Sequence, residues 1–87
     1  MTIWKFTLKI QDRQEIRIPG GGVFLRAQWQ HGELQVWAIV APERPQERRA
    51  VWIVGTGHTV PSVPLTFIDT VQTPNGAFVW HVFVEAS

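Results

Sequence analysis

The sequence predicts an all-β protein, a small antiparallel sandwich or barrel of about seven strands. Three observations carry this. Apolar and polar residues alternate with a period of two along most of the chain. Glycine, proline, asparagine and aspartate interrupt the alternation at regular intervals. No window shows the 3.6-residue period of an amphipathic helix.

The first strand sets Trp4, Phe6, Leu8 and Ile10 against Ile3, Lys5, Thr7 and Lys9, which predicts one buried and one wet face. Gln11 to Gln14 reads as a turn. Glu15 to Ile18 resumes the alternation and is expected to pair back on the first strand. Pro19-Gly20-Gly21-Gly22 breaks it. Val23, Leu25, Ala27 and Trp29 then alternate with Phe24, Arg26, Gln28 and Gln30. His31-Gly32 separates this run from Leu34–Val40 and suits a two-residue hairpin turn, where both central residues need φ > 0. Ala41 to Arg49, polar and broken by Pro42 and Pro45, is expected to be an exposed loop. Val51 to Val54 form a short apolar strand, and residues 55–64 a longer loop containing Pro61 and Pro64. Leu65–Gln72 and Ala77–Val84 flank the turn Thr73-Pro74-Asn75-Gly76.

Two strands are apolar on both faces. The last carries Ala77, Val79 and Phe83 on one side and Phe78, Trp80, Val82 and Val84 on the other; the strand with Trp37 and Ile39 is similar. A small antiparallel sheet ordinarily keeps one wet face. Two apolar faces call for a second internal layer or a partner, and the expectation is a homo-oligomer.

At 87 residues the chain is one domain, residues 1–87. Apolar residues make up 45%, too many for a disordered chain. A net charge of +1 lacks the Lys/Arg footprint of nonspecific nucleic-acid binding. The absence of cysteine removes disulfides, thiolate zinc sites and thiol catalysis. No apolar run approaches the ~20 residues of a membrane span, and the polar N-terminus is not a signal peptide, so a cytoplasmic location in a bacterial host is expected.

Chemistry-bearing residues are few. An apolar run ends in Gly55-Thr56-Gly57-His58, where glycines let consecutive N–H groups converge on an anion. No Lys-Ser/Thr pair and no helix follows, so this is neither a Walker loop nor a dinucleotide fingerprint, and an ordinary β-connection has the same composition. His31, His58 and His81 lack metal-ligand spacing, so no metal and no cofactor is expected. His81 shares a strand face with Val79 and Phe83, as a hydrogen-bonded or pocket-lining histidine would. A His58–Asp69 couple is conceivable, but the only serines, Ser62 and Ser87, lie in a loop and at the terminus, and no enzyme is expected. Arg48 and Arg49 suit phosphate forks, although Glu43 and Glu47 beside them also make a mixed-charge solvated loop. The tryptophans fall inside strands and are mostly core; Trp37, beside Glu33 and Gln35 on its face, is the one expected to be free to stack on a base.

Several pieces in order resemble a small family encoded mainly by bacteriophages and prophages. They are Ile3-Trp4-Lys5, Asp12-Arg13-Gln14 with Pro-Gly after Ile18, Gln30-His31-Gly32, Gly55-Thr56-Gly57-His58 and Phe78-x-x-His81-Val82-Phe83. The resemblance implies a phage context and no catalytic residues. By analogy of size and context, small oligomeric phage β-proteins include sponges that sequester nucleotide signals of host defence. The resulting expectation is a non-enzymatic homo-oligomer that binds a nucleotide-like anion through Gly55, Thr56, Gly57 and His58, with Arg48 or Arg49 supplying charge and Trp37 stacking. The alternatives are an inhibitor that binds a host protein through an apolar sheet face and a minor structural or accessory phage protein.

Overall fold

The computed structural model describes residues 1–86; Ser87 lies outside them. Seven strands form: β1 (Thr2–Leu8), β2 (Arg13–Pro19), β3 (Val23–Gln30), β4 (Glu33–Val40), β5 (Gln46–Gly55), β6 (Leu65–Gln72) and β7 (Val79–Glu85). They make two antiparallel sheets, a three-stranded one in the order β1-β4-β3 and a four-stranded one in the order β2-β5-β7-β6. The all-β sandwich expected from the sequence is the observed fold, with no helix among the described residues.

Alternation decides what faces inward. Leu8, Leu34, Val36, Val51, Val82 and Val84 meet between the sheets and exclude water. A second cluster of Ile18, Ala38 and Val40 fills one end, with Trp4 and Phe24 against it. Trp29 and Trp80 close on the larger cluster. Three of the five tryptophans, Trp4, Trp29 and Trp80, thus pack half-buried against the core rather than inside it.

The β3–β4 hairpin turns at His31 (φ 53°) and Gly32 (φ 77°), with Gln30 paired to Glu33. Positive φ at both central residues is the type I′ geometry that matches strand twist.

Two expectations are corrected. β2 does not pair back on β1: it pairs with β5, while β1 pairs with β4. The short turn between them carries the chain from one sheet to the other, and Gln14 ties it by bonding both the N–H and the C=O of Lys9. The segment read as a loop through Arg49 becomes strand at Gln46. Its charges fit a strand because Arg48 stands on the wet outer face with its Nη1 3.9 Å from Glu15 Oε1, while the inward-facing Arg49 lays its guanidinium over the Phe24 ring at 5.5 Å. At the other end, β7 begins at Val79; Ala77 and Phe78 belong to the turn, where Thr73 N–H donates to Phe78 O.

The sheets are latched along one side, where β3 approaches β6. Each has a bulge, skipping Leu25 and Ile68 in the registers. Between the bulges, Asp69 Oδ2 accepts from Arg26 Nε (2.8 Å) and from the Ala27 N–H (3.1 Å), and Oδ1 accepts from the Thr70 N–H. Burial opposes the Asp69 charge, but these donors outweigh it and hold the carboxyl below its usual value.

Candidate functional site

The Gly55–His58 segment is a tight turn at the end of β5. His58 N–H donates to Gly55 O at 3.0 Å, and Gly57 has φ 90° while Thr56 does not have positive φ. That is the type II pattern, which needs glycine third. Gly55 suits its place for a different reason. The His58 ring lies on it, and a Cβ there would stand 3.2 Å from Nδ1. The turn is anchored to β7, with Thr56 Oγ1 2.8 Å from His81 Nε2. Thr70 Oγ1 lies 3.0 Å from His81 Nδ1, so both ring nitrogens of His81 are engaged by threonines. His81 is the hydrogen-bonded, half-buried histidine expected from its strand face.

The other sequence-predicted site residues stand elsewhere. Arg48 is seven residues from Gly55 along one strand, about 23 Å at the usual rise. Arg48 and Arg49 line a hollow with Glu15 and Glu85. Arg48 Nη1 lies 3.9 Å from Glu15 Oε1, and Arg49 Nη1 4.0 Å from Glu47 Oε1. Trp37 is on the outer face of the other sheet, its register neighbours Lys5 and Arg26. Gly55, Thr56, Gly57 and His58 come together; Arg48, Arg49 and Trp37 do not join them. His58 and Asp69 do not couple either, since Asp69 is committed to Arg26 and Ala27.

What the sequence reading missed is Asp12. The Ile53 N–H donates to Asp12 O at 3.1 Å, which brings the β1–β2 turn against the end of β5. Asp12 and His58 then line the same hollows, one walled by Trp52, the other by Trp80. Forty-six residues separate the two in sequence, and only strand pairing unites them.

The outer faces of the sheets are the other candidate surfaces. On the four-stranded sheet, Arg13, Trp52, Phe83 and Phe67 form one row by register. Phe67 and Phe83 meet edge to face, with centroids 5.6 Å apart. Trp52 Nε1 and Arg13 Nε both donate to Glu85 Oε2, at 2.7 and 3.0 Å. The Trp52 bond first, then Arg13, pulls the Glu85 carboxyl below its usual value. On the three-stranded sheet, Ile3, Ile39 and Val23 stand side by side across all three strands, with Trp37 on the same face. Ile3 is 60% and Val23 57% exposed. The far end of that face is polar: Thr7 Oγ1 donates to Gln35 Oε1, and Lys5 Nζ to Gln30 Oε1.

The class so defined is a small two-sheet antiparallel β-protein with a latched seam, a glycine turn bearing a histidine, and one outer face that is apolar over half its length. Within it, the chain belongs to the DUF7352 family, a domain of unknown function whose family model matches residues 1–87. No curated protein and no solved structure matches it. No helix among the described residues is long and apolar enough to cross a membrane.

Proposed function

We propose that this chain is a non-catalytic binding module that self-associates through the apolar half of the outer face of its three-stranded sheet. The observation that carries the reading is the row Ile3–Ile39–Val23. Complete burial of an aliphatic side chain is worth about 1.5–3 kcal/mol, so a row contributed by each of two copies supports a specific contact. A net charge of +1 leaves little repulsion between copies. The aromatic row on the other sheet suits this role less, because covering it would desolvate Arg13 and Glu85. The motif resemblance adds the phage setting to the proposal, with a host protein as the alternative occupant of the same face.

The nucleotide-sponge reading draws less support. Its stacking and clamping residues lie on other surfaces, the His58 N–H is spent within the turn, and the acidic residue Asp12 lines the same hollow.

The test is light scattering across concentration on wild type, Ile3→Glu/Ile39→Glu and Phe67→Glu. The proposal expects a mass above 9.9 kDa for wild type and Phe67→Glu, and a folded monomer for the double variant. A wild-type monomer at high micromolar concentration overturns it.

A further inference from the structure

The hollows that meet at His58 differ in kind from the apolar face. Each has a volume of about 210 Å³, and both are lined by Asp12, Ile53 and His58. That is smaller than the roughly 300–1,000 Å³ of ordinary small-molecule sites, and suits one functional group and its stem better than a nucleotide.

Charge narrows the choice. Among the described residues, Glu15, Glu47, Asp69 and Glu85 each have a cationic partner within 4.0 Å. Asp12, Glu33 and Glu43 have none; of these three Asp12 lines the hollows with His58, and its backbone carbonyl, not its carboxylate, makes the bond to Ile53. His58 lines both hollows with Asp12, and Trp52 walls the first. The Trp52 N–H is already given to Glu85, which fixes the ring and leaves its π-face as its remaining binding feature. A free carboxylate, a nitrogen acceptor and a fixed indole select a cationic, planar donor and disfavour an anion.

We infer that this cleft, between the β1–β2 turn and the β5–β6 loop, receives a guanidinium group, with Asp12 as its counter-ion, His58 as a second acceptor and Trp52 as its stacking surface. A guanidinium fits better than an ammonium because its fork matches a carboxylate and its weakly hydrated plane stacks on an indole. The group could come from a free guanidino compound or from an arginine side chain of a protein partner.

The experiment is an NMR titration of the ¹⁵N-labelled protein, following the Trp52 indole N–H and the amides of Gly55 to Thr59. The probes are methylguanidinium, a Gly-Arg-Gly peptide and inorganic phosphate. Methylguanidinium and the peptide are expected to shift these signals, and phosphate to leave them in place. Asp12→Asn should weaken both about tenfold, the loss of one charge-assisted contact, with a dispersed spectrum showing that the fold is kept. His58→Gln, which keeps an acceptor, should weaken them less. A peptide that binds much more tightly than methylguanidinium assigns the group to a protein partner; equal affinity assigns it to a free compound. Silence with both guanidinium probes, shifts with phosphate alone, or unchanged affinity in Asp12→Asn overturns the inference. None of these readouts depends on self-association.

Discussion

The two sheets are alike inside and different outside. Inward, both present valine, leucine and isoleucine to a shared core. Outward, the four-stranded sheet satisfies itself: Arg13, Glu15, Arg48 and Glu85 form a ladder of ion pairs, Trp52 gives its N–H to Glu85, and Thr56 and Thr70 hold His81. Among the described residues, the outer face of the three-stranded sheet has no such network at its Ile3–Ile39–Val23 end. A polar outer network resists being covered, because its charges would lose water; a bare aliphatic row gains from being covered. The difference separates a face that can remain in solvent from one that calls for a partner.

The largest expected effect breaks the inside–outside half of this comparison. Leu34 is 1% exposed in β4, and Ile39 lies on the opposite face of the same strand. Leu34→Ala should destabilise the fold by about 2–5 kcal/mol in chemical denaturation, because a buried cavity is left behind. Ile39→Ala should cost the fold far less and register mainly in assembly.

Next comes the latch that holds the two sheets together. Asp69→Asn should cost about 1.5–3 kcal/mol, the worth of hydrogen bonds to a charged group, with the exposed Arg26 supplying little of it. The pH dependence has a definite sign. The folded carboxyl lies below its usual value, so its contribution is complete above the unfolded value of about 3.9 and is lost as pH falls through the lower folded value. Wild type should therefore lose stability on acidification below about pH 4 more steeply than Asp69→Asn.

Smaller still is the turn between β3 and β4. A Cβ at Gly32 meets nothing within 4 Å, so Gly32→Ala should cost only the left-handed backbone penalty of about 1–2 kcal/mol, read from the thermal midpoint. The smallest effect sharpens the account of the outer network. Trp52→Phe removes the strongest donor to Glu85, and its carboxyl should move back up toward the ordinary range in an NMR pH titration.

These same residues show what could be read without the fold. His31-Gly32 was legible because a two-residue hairpin demands positive φ at both positions and the chain offers a pair that tolerates it. The faces of β1, β4 and β7 were legible because side-chain alternation is a local property. The partner of β2 was not, since Glu15–Ile18 would display the same faces beside β1 or beside β5. Gln46–Arg49 resembled a loop because its outer-face charges follow two prolines, and nothing local announces that Arg49 will lie on Phe24. The Gly55–His58 turn was visible in sequence, but its neighbour Asp12 was not. A hydrogen bond between two distant backbone groups, Ile53 and Asp12, builds that cleft and leaves no motif behind.

The most direct test of the difference between the two outer faces is an isotope-filtered NOE experiment on a mixture of labelled and unlabelled protein. Intermolecular NOEs are expected among the methyl groups of Ile3, Val23 and Ile39, and none from Phe67 or Phe83. Intermolecular NOEs confined to the aromatic row of the four-stranded sheet, or absent from both faces at concentrations where the protein is fully folded, would contradict this expectation.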